Sequence, residues 1–365
     1  MKFTPFLISV LIIVGFSSAL WAQEEKPTPD EAEKPSEEVA EEKAEGTEEE
    51  EEKDKEKSIE DITEDSDRID GLLTLFRDRK SGAVRLLLNE EDLNKEFLYF
   101  SYTENGPAEG GFFIRGSYQI STALVFEIRR YFNRIEIVEK NTNFYFNPEK
   151  AIARAAQANI TDALIFDKEI EAEDEESGEL LIPVDDLFLK ETFYRLSPLS
   201  NPNKKPHEVF SIGSLSKEKS KIREIKNYPE NTDLRVEFVY ENPKNYQRGG
   251  DAVTNNRTIS VLVQHSIMLA PENPIEPRLD DPRVGYFGHQ ITDLSSTSVT
   301  PYRDIIERWR LEKKDPDAKL SEPVKPIVFW LENTTPLELR PIIEKAALQW
   351  NEAFEKAGFK NALQI

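Results

Sequence analysis

The sequence predicts an α+β fold that is mostly β, an antiparallel sheet or sandwich carrying short helices. From Asp67 onward, short runs rich in Val, Ile, Phe and Tyr recur, broken by Gly, Asn and Pro at short intervals. No stretch of helical period longer than about three turns occurs before residue 300. From Pro326 the pattern changes to one strand followed by one long amphipathic helix.

The elements follow in order. Residues 71–76 and 83–88 read as strands joined by residues 77–82, and residues 97–101 as the next strand. Residues 112–115, 122–130 and 133–138 follow, then the short aromatic run 143–146. Asn147-Pro148-Glu149 has the form of an N-cap, a proline at N1 and an acidic first turn, which predicts a helix over 151–158. Residues 184–193 are a second helix candidate, and the acidic stretch 171–179 reads as an exposed loop. Residues 197–221, rich in Pro, Asn, Ser and Lys, also read as loop. Strands return at 234–240, where Leu234, Val236, Phe238 and Tyr240 share one face, and at 257–266, with Ile259, Val261 and Val263 on one face. A proline-rich connection covers 271–281, and residues 305–311, with Trp309, read as a short helix.

Residues 326–332 form a strong strand pattern. Thr335-Pro-Leu-Glu338 has the form of a capping box with proline at N1. Ile342, Ile343, Ala346, Ala347, Trp350, Ala353, Phe354 and Ala357 then recur at three- and four-residue steps, and Gly358 is the expected C′ residue.

Ahead of these elements stand two segments of different character. Residues 1–22 have the order of a secretory signal peptide: Lys2, an apolar run from Phe6 to Phe16, then small residues and Ala22 before Gln23. The run is shorter than the roughly 20 residues that a membrane span needs, which favours cleavage over anchoring. No other segment is apolar enough to cross a bilayer, so no transmembrane segment is expected after cleavage. The expected location is outside the cytoplasm: periplasmic, cell-surface or secreted. Residues 23–67 read as an acidic disordered linker. Between Glu24 and Asp67 stand 22 acidic and 6 basic residues, so most of the net charge of −23 belongs to this stretch. Such a balance argues against nucleic acid as a partner.

Cysteine is absent, which excludes disulfides, thiolate zinc sites and a cysteine nucleophile. The three histidines, His207, His265 and His289, are never four residues apart, so no His-Glu-x-x-His pair exists. His207 lies in a proline-rich loop and reads as surface. His265 falls on the apolar face of its strand and reads as a satisfied core histidine. His289 sits in a turn-rich segment. Asp185-Asp186 and Asp280-Asp281 are candidate acid pairs, for which turn or N-cap roles are the simpler account. The Asn-x-Thr sites at Asn159, Asn256 and Asn333 matter only in a glycosylating secretory route. Lys313-Lys314 is too small for a basic patch. There is no Gly-x-Ser-x-Gly elbow, P-loop or dinucleotide fingerprint. On residues alone, no catalytic, cofactor-binding or metal-binding residue is assigned.

One ordered series of segments is nevertheless distinctive. Phe97-Leu-Tyr-Phe-Ser-Tyr-Thr-Glu-Asn-Gly106, Tyr131-Phe-Asn-Arg-Ile-Glu136 and Glu224-Ile-Lys-Asn-Tyr-Pro-Glu-Asn-Thr-Asp233 come first. Asp281-Pro-Arg-Val-Gly-Tyr-Phe287, Thr300-Pro-Tyr-Arg303, Arg308-Trp-Arg-Leu-Glu312 and Leu320-Ser-Glu-Pro-Val-Lys-Pro326 follow. Trp330-Leu-Glu-Asn-Thr-Thr-Pro336 and Trp350-Asn-Glu-Ala-Phe-Glu-Lys-Ala-Gly-Phe-Lys-Asn-Ala362 complete it. From about residue 68 to the end, this resembles a family of large bacterial secreted zinc-dependent metalloproteases of the zincin, metzincin-like type. The resemblance implies a β-rich N-terminal region over 68–300. Over 301–365 it implies a linker and the truncated start of a zincin-like α/β catalytic domain. For the parent enzyme it implies zinc, a protein or peptide substrate and peptide-bond hydrolysis. No position here matches the zinc motif, which the resemblance places after Ile365, so no catalytic residue carries over. The alternative reading is a free-standing, non-catalytic exported β-rich binding module of the cell envelope.

Overall fold

A computed structural model describes residues 57–107, 123–156, 158–193, 195–196, 212–243 and 249–365. The signal peptide, most of the acidic linker, the strand expected at 112–115 and His207 lie outside the described residues. In chain order the first elements are α1 (Ile59–Thr63), β1 (Ser66–Ile69), β2 (Thr74–Asp78), β3 (Val84–Leu88), β4 (Glu96–Asn105) and β5 (Leu124–Tyr131). Next come β6 (Arg134–Glu139), β7 (Phe144–Tyr145), β8 (Ala163–Glu169), β9 (Ala172–Asp174), β10 (Glu179–Pro183) and α2 (Asp185–Phe188). Strands β11 (Ser214–Leu215), β12 (Lys221–Asn227), β13 (Asn231–Glu241), β14 (Thr258–Leu269), β15 (Gly288–Asp293) and β16 (Tyr302–Ile306) follow. The last elements are β17 (Ile327–Val328), α3 (Arg340–Leu348), α4 (Trp350–Lys356) and β18 (Leu363–Gln364). The fold is thus α+β and mostly β.

Two antiparallel sheets share one core. The smaller has the order β1-β2-β3-β10-β9, and the larger runs β11-β13-β14-β4-β5-β6-β8 with β12 also on β13. Alternation along the strands decides which side chains meet. In the small sheet Leu75, Val84, Leu86, Leu88, Leu180 and Ile182 point inward, against Phe97, Tyr99, Phe126, Val236 and Val263 of the large sheet. The intervening Phe76, Leu87 and Leu181 point outward, where Ile59 and Ile62 of α1 cover them.

Helix α1 and the first two residues of β1 lie inside the stretch assigned to disordered linker. The correction has a local cause. Ser58 and Asp61 close a capping box, with the Asp61 N–H donating to Ser58 Oγ at 3.1 Å. Two isoleucines three residues apart then suffice to seat one turn on the outer face of the small sheet.

The sheets are pinned at Asn227. Its amide donates to the carbonyls of Ile69 at 2.9 Å and Leu73 at 2.6 Å, and its Oδ1 accepts from the Thr232 hydroxyl at 2.6 Å. Gly71 is required beneath it, because a Cβ there would stand 2.2 Å from the Asn227 side chain.

Several expected elements change. The acidic stretch 171–179 is not a free loop. It holds β9 and the turn into β10, and its carboxylates pair with arginines: Glu171 with Arg85 at 2.7 Å and Glu173 with Arg130 at 2.7 Å. The helix expected over 151–158 is a 3-10 turn at Ala151–Ala155, and that over 184–193 shortens to α2. The helix expected over 305–311 is wrong. Ile305 and Ile306 finish β16, which pairs antiparallel with β15, so the β-rich region runs past residue 300. Strand β15 also takes β7 in parallel, making a small third sheet.

At the C-terminal end β17 and β18 pair in parallel with α3 and α4 between them, a β-α-β unit. Asn351 ties the helix to the second strand, donating to Leu363 O and accepting from Leu363 N, each at 2.9 Å. The strand expected over 326–332 is only two residues long, and the long helix is broken at Gln349. No helix among the described residues is long and apolar enough to cross a membrane.

Candidate functional site

Strands β4 and β14 place one polar pair in the middle of the core. His265 stands opposite Ser101 in the register and is buried. Its Nδ1 lies 2.7 Å from the Tyr99 hydroxyl, and its Nε2 has no hydrogen-bond partner. Phe188 and Phe238 meet the imidazole edge-on, and Phe193 stacks on Tyr99 with ring centres 4.2 Å apart. Burial pushes the His265 pKa down to about 3, so the ring is neutral, and burial raises that of Tyr99. The Ser101 hydroxyl beside Tyr99 acts weakly in the opposite sense and makes no hydrogen bond of ordinary geometry. The core reading of His265 therefore holds for its position, while only one ring nitrogen is satisfied.

The other histidine among the described residues is remote in kind. His289 is exposed on β15, with Nε2 3.0 Å from Glu307. Among the described residues no group of three His, Cys, Asp or Glu side chains is placed to hold a metal.

The two acid pairs are separated by their environments. Asp185 accepts from the Val84 N–H at 3.1 Å, and burial raises its pKa. Asp186 turns the other way, to Lys168 at 2.8 Å, Lys190 at 3.4 Å and Lys217, and the Lys168 and Lys217 contacts hold its carboxyl well below the usual range. Asp281 is engaged by the side chain and N–H of its neighbour Arg283, and Asp280 accepts from the Asp281 N–H at 2.7 Å, so both act in a turn. Asn256 is buried, and Asn159 and Asn333 are exposed.

A cluster that sequence spacing did not reveal sits at one end of the large sheet. Glu127 and Arg129 project from β5, Lys140 follows β6, and Asp162 precedes β8. Lys140 Nζ is 2.7 Å from Asp162 and 3.5 Å from Glu127, while Arg129 binds Glu127 at 2.5 Å. Burial works against the Lys140 charge, but the contacts with Asp162 and Glu127 raise its pKa overall. Burial likewise opposes the charge of Asp162, and Lys140 with the Asn141 N–H lowers it overall. A groove of about 500 Å³ opens beside the cluster, lined by Val125, Lys140, Asn141, Thr161 and Phe193 among others.

The last feature is apolar. Among the described residues, 19 of the 26 exposed large hydrophobic side chains fall between Leu279 and Ile365, against only 4 of the 40 buried ones. Phe287 is 85% exposed, Trp330 90% and Trp350 65%. The helical stripe of α3 and α4 has no buried residue. Among the described residues, the region up to β14 holds most of the buried apolar side chains and the C-terminal part most of the exposed ones.

A family model described as Domain of unknown function (DUF5117) matches residues 117–314. The matched region opens just ahead of β5 and closes before β17, so the β-α-β unit lies beyond it. No curated protein and no solved structure matches the chain. Since the match covers more than half of the 365 residues, the chain belongs to the DUF5117 family.

Proposed function

We propose that this chain is the N-terminal portion of an exported zinc-dependent metalloprotease, whose zinc motif lies outside these 365 residues. The observation that supports this most is the β-α-β unit at the C-terminal end. A two-stranded parallel pair with one uncovered amphipathic helix layer is half of a sandwich of layers. Parallel strands normally belong to sheets covered on both faces, so the unit reads as the opening of an α/β domain, as the segment resemblance implies. The β-rich region would then be a self-contained N-terminal module, with the protein or peptide substrate bound elsewhere.

The test uses the protein from its natural source. Antibody against residues 57–270 should capture a species heavier than the 42.0 kDa of this chain, containing zinc and cleaving casein in a chelator-sensitive manner. Capture of a species no heavier than 42.0 kDa, without zinc or peptidase activity, would sink the proposal. That result would favour the exported binding module, a reading supported by the complete core of the two-sheet region.

A further inference from the structure

Between β6 and β8 the chain leaves the large sheet, contributes β7 to the small third sheet, and returns. Lys140 and Asp162 are the two feet of that excursion, 22 residues apart in sequence. Lys140 Nζ lies 2.7 Å from Asp162 Oδ2, and Glu127 Oε1 lies 3.5 Å from the same nitrogen. The Asn141 N–H donates to Asp162 Oδ1 at 3.1 Å. Arg129 holds Glu127 and stands 3.6 Å from Asp162 Oδ2. All three reacting side chains are largely enclosed: Glu127 is 15% exposed, Lys140 20% and Asp162 21%.

We propose that Lys140 and Asp162 condense into an intramolecular isopeptide bond, with Glu127 as the proton-transfer group. An ion pair needs two charges only. This cluster also has a second carboxylate on the amine and a backbone N–H on the oxygen that would carry charge after attack. A proton passes from the Lys140 ammonium through Glu127 to Asp162 Oδ2. The free amine attacks Cγ, and negative charge gathers on Oδ1 against the Asn141 N–H. A second proton leaves the nitrogen by the same route, the Cγ–Oδ2 bond breaks, and Oδ2 departs as water. Ammonium plus carboxylate become one secondary amide plus one water, with no change in net charge and no outside reactant. The 2.7 Å contact puts the neutral amine and acid one proton transfer from the ion pair. The groove beside Lys140 and Asn141 gives the water a way out.

The bond would serve a structural end. The chain has no cysteine, so no disulfide can close the loop that carries β7. A covalent clasp at its two feet constrains the unfolded chain as a disulfide does.

The experiment is intact-mass measurement of the full chain in denaturant, followed by peptide mapping. The expected mass is one water below that of the processed sequence, with a branched peptide joining Lys140 to Asp162. Glu127→Gln and Lys140→Arg should restore the full sequence mass and lower the melting temperature by several degrees. A full sequence mass for the folded native chain, with Lys140 and Asp162 recovered on separate linear peptides, overturns the proposal whether or not the variants fold.

Discussion

The Tyr99 hydroxyl and Nδ1 of His265 meet at 2.7 Å across β4 and β14, in a core otherwise closed by Phe188, Phe193 and Phe238. The folded pKa of His265, about 3, lies below its ordinary value of 6.5. The unfolded chain therefore takes up the proton first, and stability is lost as pH falls from about 6.5 toward about 3. At about 1.4 kcal/mol per pH unit, His265 alone removes about 3 kcal/mol between about pH 7 and about pH 4.5. His265→Phe should be less stable at neutral pH, since Tyr99 loses its partner, yet show a flatter decline in urea titrations at acid pH. Parallel declines in the two proteins would show that the imidazole does not report on acid stability.

Asn227 satisfies two carbonyls of the β1–β2 connection while sitting at the end of β12. Asn227→Ala leaves the oxygens of Ile69 and Leu73 without this donor and the Thr232 hydroxyl without its acceptor. The expected cost is about 1–3 kcal/mol in equilibrium unfolding. Gly71→Ala should cost a comparable amount, because its Cβ would displace the same amide. The double variant should then cost little more than either alone, since both remove one clamp. Additive losses would mean that Gly71 matters for another reason.

The exposed apolar surface after Leu279 predicts behaviour in solution. Strands β17 and β18 each have one neighbour, and exposed apolar side chains beside unpaired strand edges promote association. The chain of 365 residues should self-associate with rising concentration in sedimentation velocity and bind a hydrophobic dye. Removing residues 313–365 takes away only Ile327, Ala362 and Leu363 from the buried apolar set, so the two-sheet core should persist and the association should fall. A monomeric full chain with slow hydrogen exchange over α3 and α4 would mean that the helices are already covered.

Strands whose side chains alternate are legible in the sequence. Leu234, Val236, Phe238 and Tyr240 announce β13, and Ile259, Val261 and Val263 announce β14, because one face is core and the other is not. Strand β12 begins at the end of a stretch whose composition reads as loop, and Lys221, Arg223 and Lys226 give it a charged outer edge that obscures Ile222. The sequence around strand β16 also suits a helix, because Ile305 and Ile306 followed by Trp309 fit either period over so short a run. The Lys140–Asp162–Glu127 cluster was illegible, since register across β5, β6 and β8 brings it together and no local spacing encodes register.

The C-terminal helix separates a correct local signal from an incorrect one. Gly358 was expected to end it, and it does, with φ +92°. The Gly358 N–H donates to Glu355 O at 3.0 Å and the Phe359 N–H to Phe354 O at 2.9 Å, the paired bonds of a Schellman motif. A Cβ at Gly358 would add a 3.1 Å contact with Lys319 O to the strain of positive φ. Thr335 was expected to cap the start, but the helix begins after Leu339 with Pro341 in its first turn, and the Thr335 carbonyl accepts from Arg340 instead. Gly358→Ala should thus cost about 1–2 kcal/mol locally and speed hydrogen exchange over Trp350–Lys356 about tenfold. Thr335→Ala should leave that exchange unchanged, because its hydroxyl caps nothing. Equal acceleration by both variants would return the start of the helix to Thr335 and would join α3 and α4 into the single long helix that the apolar spacing suggested.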